Sequence, residues 1–233
     1  MTAASPRAIA PLPLLLLLLS VTTGLVDAIS VLGLGKVFTA NMTGNVVFLG
    51  FAAAGTPGFR VAPYVVAMAS FLVGAVIAGR TGKNQAGRPL RHWLITAALV
   101  ETALLWIAAI VAMGFDIATQ SPSESLFAII ALTGLAMGFR NATIRQLKVP
   151  DMTTTVLTLT LAGLAADSGL AGGNNPNWQR RIGSVLAILA GAVLGALLVM
   201  RTGLSVPLAV AGAVVLFGTL ACARHPSSAG PLP

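Results

Sequence analysis

The sequence predicts an all-α polytopic membrane protein, with six transmembrane helices and two short re-entrant half-helices arranged as an inverted three-plus-three internal repeat. Three observations carry that prediction. The chain is 56% hydrophobic and only 9% charged, with a mean hydropathy of +0.91, outside the balance of a soluble domain. Its two halves align with each other. Its basic residues divide unevenly between the loops that successive spans would place on opposite sides of a bilayer.

A span needs about 20 mainly apolar residues, and six stretches qualify: 11–34, 61–79, 92–114, 125–145, 182–200 and 204–222. The first opens with a leucine run behind Arg7 that by itself resembles a secretory signal. The repeat argues against cleavage, because this segment has a counterpart in the second half. At a constant offset of 110, Thr23, Gly24 and Leu25 align with Thr133, Gly134 and Leu135, and Met42 and Thr43 with Met152 and Thr153. At an offset of 121, Gly74, Ala75, Arg80, Thr81 and Gly82 align with Gly195, Ala196, Arg201, Thr202 and Gly203. The extra residues fall in DSGLAGGNNPN, 167–177, whose Gly, Asn and Pro content reads as a loop.

The repeats are therefore 1–115 and 125–224, with 225–233 as a disordered tail. Each contains a span, a polar knot, a short apolar segment and two further spans. The short segments, near 42–55 and 152–166, have apolar stretches reaching only ~14–16 Å as helices, about half a ~30 Å hydrocarbon core. They are either re-entrant half-helices, giving six crossings, or parts of tilted helices, giving eight. Six crossings with a cytoplasmic N-terminus put eleven of the fourteen basic residues inside and leave Lys36, Arg60 and Arg201 outside with Asp116 and Glu124. The eight-crossing arrangement splits them nine to five, so charge favours six. Three crossings per half turn the second repeat upside down, an architecture used by channels and secondary transporters.

The knot in the first half is FTANMTGN, residues 38–45, and its candidate ligand-facing groups are Asn41, Thr43, Gly44 and Asn45. Those of the second half are Asp151, Thr153, Thr154 and Thr155. Thr43, Asn45 or Asn41 suits the N-cap of the helix that follows. A half-helix start at membrane depth offers free N–H groups and a partial positive charge to an anion or dipole, and irregular backbone survives there only when buried in protein or wetted. The alternative is a capped loop at the membrane surface with no ligand.

Ionisable side chains inside spans are costly and point to function. Asp27 lies in the outer part of the first span, Glu101 near the middle of the third, and Arg140 with Asn141 in the inner part of the fourth. A carboxylate that pairs with Arg140 across the repeats leaves the other to take a proton or a cation. Against this stand a pair that only fixes packing, and snorkelling of Arg140 to the surface.

The rest of the sequence narrows the class. Neither histidine lies in a metal or catalytic motif, Gly33-Leu34-Gly35 lacks the third glycine of a dinucleotide fingerprint, and no nucleophile elbow occurs, so no enzyme, cofactor, metal or catalytic residue is assigned. Cys222 is the single cysteine and reads as a small apolar residue. The net charge of +8 follows from topology rather than nucleic-acid binding. The partners are the lipid bilayer, a small anionic or dipolar solute and a second copy in a homodimer.

The stretches TGLVDAISVLGLGKVFTANMTGNVVFLG, 23–50, and RNATIRQLKVPDMTTTVLTLTLAGLAADS, 140–168, resemble the YoaK-like family of bacterial inner-membrane proteins, a domain of unknown function. The resemblance runs over nearly the whole chain. It implies a multi-pass protein of the bacterial inner membrane and brings no substrate or reaction. From the residues, a small-solute transporter or channel with both termini cytoplasmic is the first reading. The second is a non-transporting assembly or stress-associated factor whose 80–91 loop meets anionic lipid or a partner.

Overall fold

A computed structural model describes residues 12–147, 157–175 and 177–230. Its helices are α1 (Leu12–Gly33), α2 (Met42–Ala53), α3 (Val61–Asn84), α4 (Leu90–Val111), α5 (Ser123–Leu147), α6 (Leu157–Ala166), α7 (Trp178–Thr202) and α8 (Ser205–Ala223). No strand is formed among the described residues. Among the described residues six helices are long and apolar enough to cross a bilayer, and they coincide with the six stretches read from sequence. The two short ones, α2 and α6, have 12 and 10 residues.

The long helices associate in three pairs, α1 with α7, α3 with α5 and α4 with α8, and α4 and α8 also pack on α5 and α1 respectively. Lipid gives apolar helices no hydrophobic reason to associate, so close van der Waals approach at small residues must supply one. In the α1–α7 pair, a Cβ on Gly24 would overlap the Ile188 carbonyl, and one on Gly195 would lie 2.8 Å from the Leu25 carbonyl. In the α3–α5 pair, a Cβ on Gly74 would overlap the Leu135 carbonyl, and one on Gly134 the Ser70 hydroxyl, 3.2 Å from the Ala67 carbonyl.

Side-chain neighbours give the helix directions. Leu17 meets Gly183 and Leu25 meets Gly195, so α1 and α7 are parallel. Phe71 meets Gly138, and the Gln146 amide donates to the Ala78 carbonyl at 3.3 Å, so α3 and α5 are parallel. Thr102 Oγ1 donates to the Gly212 carbonyl and Trp106 Nε1 to that of Ala209, so α4 and α8 run oppositely. Leu18 meets Gly218 and Gly33 meets Leu204, which sets α8 against α1. The tight α3–α4 turn completes the pattern: α1, α4 and α7 point one way and α3, α5 and α8 the other. Consequently α2 connects two oppositely directed long helices without adding a traverse.

One end of the bundle carries exposed Arg80, Lys83, Arg88, Arg91, Arg145 and Arg224 and half-buried Arg180, and is called the basic end. The opposite, loop end carries Lys36, Arg60, Arg201, Asp116 and Glu124.

The segment expected as a disordered tail is folded as far as Gly230. Residues Pro226–Ala229 form a 3-10 turn, buried Ser228 donates to the Cys222 carbonyl at 2.8 Å, and the Leu90 N–H at the start of α4 donates to the Gly230 carbonyl at 2.8 Å. Sequence gave no warning because prolines and serines suggest a tail, whereas here they satisfy open helix-end groups.

Candidate functional site

Arg140 projects from α5 into the bundle and is 2% exposed. Its Nη2 forms an ion pair with Glu101 Oε1 on α4, and its Nη1 donates to the Leu19 carbonyl and Thr23 Oγ1 of α1, both at 3.2 Å. Glu101 is 3% exposed and stands near the middle of α4, about 15 Å from either end at 1.5 Å per residue. The pair therefore joins the two halves in the bundle interior. Snorkelling is ruled out for Arg140, whose Nη1 and Nη2 are both held by partners inside the protein.

Thr23 and Asp27 are one helical turn apart on the same face of α1. Thr23 Oγ1 donates to the Leu19 carbonyl at 2.9 Å while accepting from Arg140. Asp27 Oδ1 accepts from the Ala40 N–H at 3.3 Å. The polar knot and the intramembrane carboxylate, separate features in the sequence, are thus in contact, through backbone rather than through the knot's side chains.

A small cavity of about 20 Å³ lies beside the pair, lined by Leu19, Ala97, Glu101, Arg140, Thr143 and Thr219 among others. That is room for about one water. Its lining continues through Leu94, Ile144 and Leu147 toward the basic end. Arg140 Nε is buried there with no protein partner.

The knot itself is built differently from the expectation. The N-cap of α2 is Asn41, but its side chain makes no capping bond, and both Asn41 and Thr43 are exposed. Asn45, fully buried, is a clamp rather than a cap: its Oδ1 accepts from the Phe38 N–H at 2.9 Å and its Nδ2 donates to the Phe38 carbonyl at 2.5 Å. A Cβ on Gly44 would lie 2.6 Å from the Phe38 ring, so glycine lets the loop close onto α2. Phe38 stacks on Phe48 with centroids 5.9 Å apart, and Phe48 meets Phe59 and Tyr64 of the neighbouring segment. The start of α2 is fixed beside α3 and contributes nothing to the cavity lining. The corresponding Asp151, Thr153, Thr154 and Thr155 lie outside the described residues.

Asn141 donates to the Met137 carbonyl of its own helix at 2.8 Å and is not a partner of the Arg140–Glu101 pair. Sequence reading missed Thr23, whose signal was its four-residue spacing from Asp27. It also missed Gln120, whose Nε2 ties the α4–α5 loop to the Gly33 carbonyl at 2.9 Å. In that loop Asp116 is held below the usual carboxylate range, chiefly by the Thr119 hydroxyl and then by the Ala118 N–H.

Six long apolar helices around a buried ion pair define a multi-pass helical membrane protein. A family model described as "Protein of unknown function (DUF1275)" matches residues 15–221, and the chain belongs to that family. It is 36% identical over 155 residues to UPF0700 transmembrane protein YoaK of Bacillus subtilis (strain 168), an alignment covering 66% of this chain and 65% of that protein, just under two thirds of its length. No solved structure matches.

Proposed function

We propose that the chain is a small-solute transporter of the bacterial inner membrane, built as an inverted three-plus-three repeat with α2 and α6 as re-entrant half-helices. The observation that carries this reading is the Glu101–Arg140 pair, buried mid-bundle with a second carboxylate, Asp27, on the adjoining helix. Charges are kept at such depth mainly along substrate and ion pathways. The inverted repeat is supported by corresponding helix contacts. Gly24 against Ile188 maps, at the two sequence offsets, onto Gly134 against Ala67, and Gly195 against Leu25 onto Gly74 against Leu135. By the charge rule the basic end is cytoplasmic.

A small anionic or dipolar solute suits Arg140, with α2 serving to fix the loop above Asp27. The cavity has room for about one water, so solute passage requires a second conformation. That small volume is also what favours the other reading, a packed non-transporting membrane factor. Cysteine scanning separates them. In a Cys222→Ala background, single cysteines at Leu94, Ala97, Thr143, Ala40 and Thr23 are treated with a membrane-impermeant thiol reagent from either side. Labelling that reaches Ala97 or Thr23 supports a pathway; protection of all but the loop positions, in every condition of pH and solute, sinks transport.

A further inference from the structure

The three ionisable groups of the site, Arg140 and Glu101 buried and Asp27 half-buried under the 34–41 loop, leave one charge unbalanced. Arg140 carries one positive charge, Glu101 and Asp27 two negative ones; among the described residues Arg140 pairs with Glu101 and bonds Thr23, one helical turn from Asp27 on α1. Neither α7 nor α8 brings another charge to the cavity. An unpaired carboxylate in a low-dielectric interior is costly, so the cluster calls for a further positive charge of minimal size. The space beside the pair admits about one water, and the Asp27 carboxylate has one described hydrogen bond, from a single backbone N–H. Among the described residues neither place has the cage of oxygen ligands that a metal cation needs.

The two carboxylates also face opposite ends. Glu101 borders the cavity whose lining leads through Leu94 and Leu147 to the basic end. Asp27 lies under the 34–41 loop at the other end, bonded to Ala40. Each side has a buried polar atom without a protein partner, Arg140 Nε beside Glu101 and Thr39 Oγ1 in the loop over Asp27, and such atoms mark places that a water completes. Between the carboxylates stands Thr23, whose hydroxyl accepts from Arg140 and donates to the Leu19 carbonyl, so that it fixes the guanidinium.

Resting on the transporter reading, we propose that the site also conducts protons, and that Asp27 and Glu101 are their outer and inner carriers on one path with Arg140 as the shared counter-ion. A proton from the loop end adds to the Asp27 carboxylate while Arg140 pairs with ionised Glu101. It then passes through water, alongside the Thr23 hydroxyl that holds Arg140, to Glu101, and Arg140 turns to ionised Asp27. Glu101 releases the proton through the cavity toward the basic end, and Asp27 is reloaded. Arg140 stays charged throughout, and one proton crosses per cycle.

The test uses the purified full chain in liposomes containing a pH-sensitive dye, with the membrane potential clamped by potassium and valinomycin and a pH step applied outside. Proton flux above that of protein-free liposomes is expected, falling at least tenfold in both Asp27→Asn and Glu101→Gln and retained in part by Glu101→Asp. Asp27→Asn makes the decisive comparison, because it disturbs one hydrogen bond and is expected to unfold at the wild-type temperature. Flux equal in wild type and Asp27→Asn overturns the proton path while leaving the transporter reading to the cysteine scan. Wild-type flux at the protein-free level overturns the proton path as well, and deep cysteine labelling in the same preparation would then keep solute transport alone.

Discussion

Removing one member of the Glu101–Arg140 pair is the sharpest test of how the bundle is held. In Glu101→Ala, Arg140 keeps Thr23 Oγ1 and the Leu19 carbonyl but loses its counter-charge while staying 2% exposed. Breaking a buried pair in this way costs about 3–5 kcal/mol. Arg140→Ala strands the Glu101 carboxylate in the same way and falls in the same range. The double variant should cost less than the sum of the two, with a coupling energy of about 2–3 kcal/mol, near the top of the range for contacting residues. Detergent-driven unfolding followed by tryptophan fluorescence measures all three, since Trp93 packs on Phe139 at 5.9 Å, next to Arg140 in sequence. Single variants that each cost under about 1 kcal/mol and add without coupling would refute the argument, because a solvated pair behaves that way.

Three further outcomes follow from other parts of the molecule. Gly24→Val and Gly134→Val should each lose at least about 1–3 kcal/mol by overpacking, whereas Gly79→Ala, with open space around its Cβ, should be neutral or gain up to about 1 kcal/mol of helix propensity; unfolding titrations check the contrast. Asn45→Ala leaves the Phe38 N–H and carbonyl unpaired, so a loss of about 1–3 kcal/mol per stranded group should appear in thermal unfolding, together with faster protease cleavage within 34–41. The hydrogen-bonded turn at Asp116, whose folded-state carboxyl lies below the ordinary Asp range, contributes stability that is fully present above that range and is lost as pH falls through the lower folded value. Asp116→Asn should remove this acid dependence, read as protease sensitivity of the α4–α5 loop across an acid titration.

The six spans were legible in the sequence because a bilayer imposes its thickness on composition: about 20 apolar residues are needed wherever a helix crosses. The shortness of α2 and α6 was legible for the same reason, as was the rarity of Asp27, Glu101 and Arg140 in hydrocarbon. Which of the two carboxylates meets Arg140 was not, since α1, α4 and α5 are brought together only by the helix packing of the tertiary structure. The role of Asn45 was hidden too. An Asn at the start of a helix reads as a cap from local chemistry, but a bond to Phe38, seven residues earlier, depends on how the 34–41 loop turns back over Gly44. Composition and the length of the apolar stretches thus determined the number and length of the membrane-crossing helices, which answer to the lipid. Tertiary structure decided the partner of each buried charge, because that depends on which helix faces approach closely enough to exclude water.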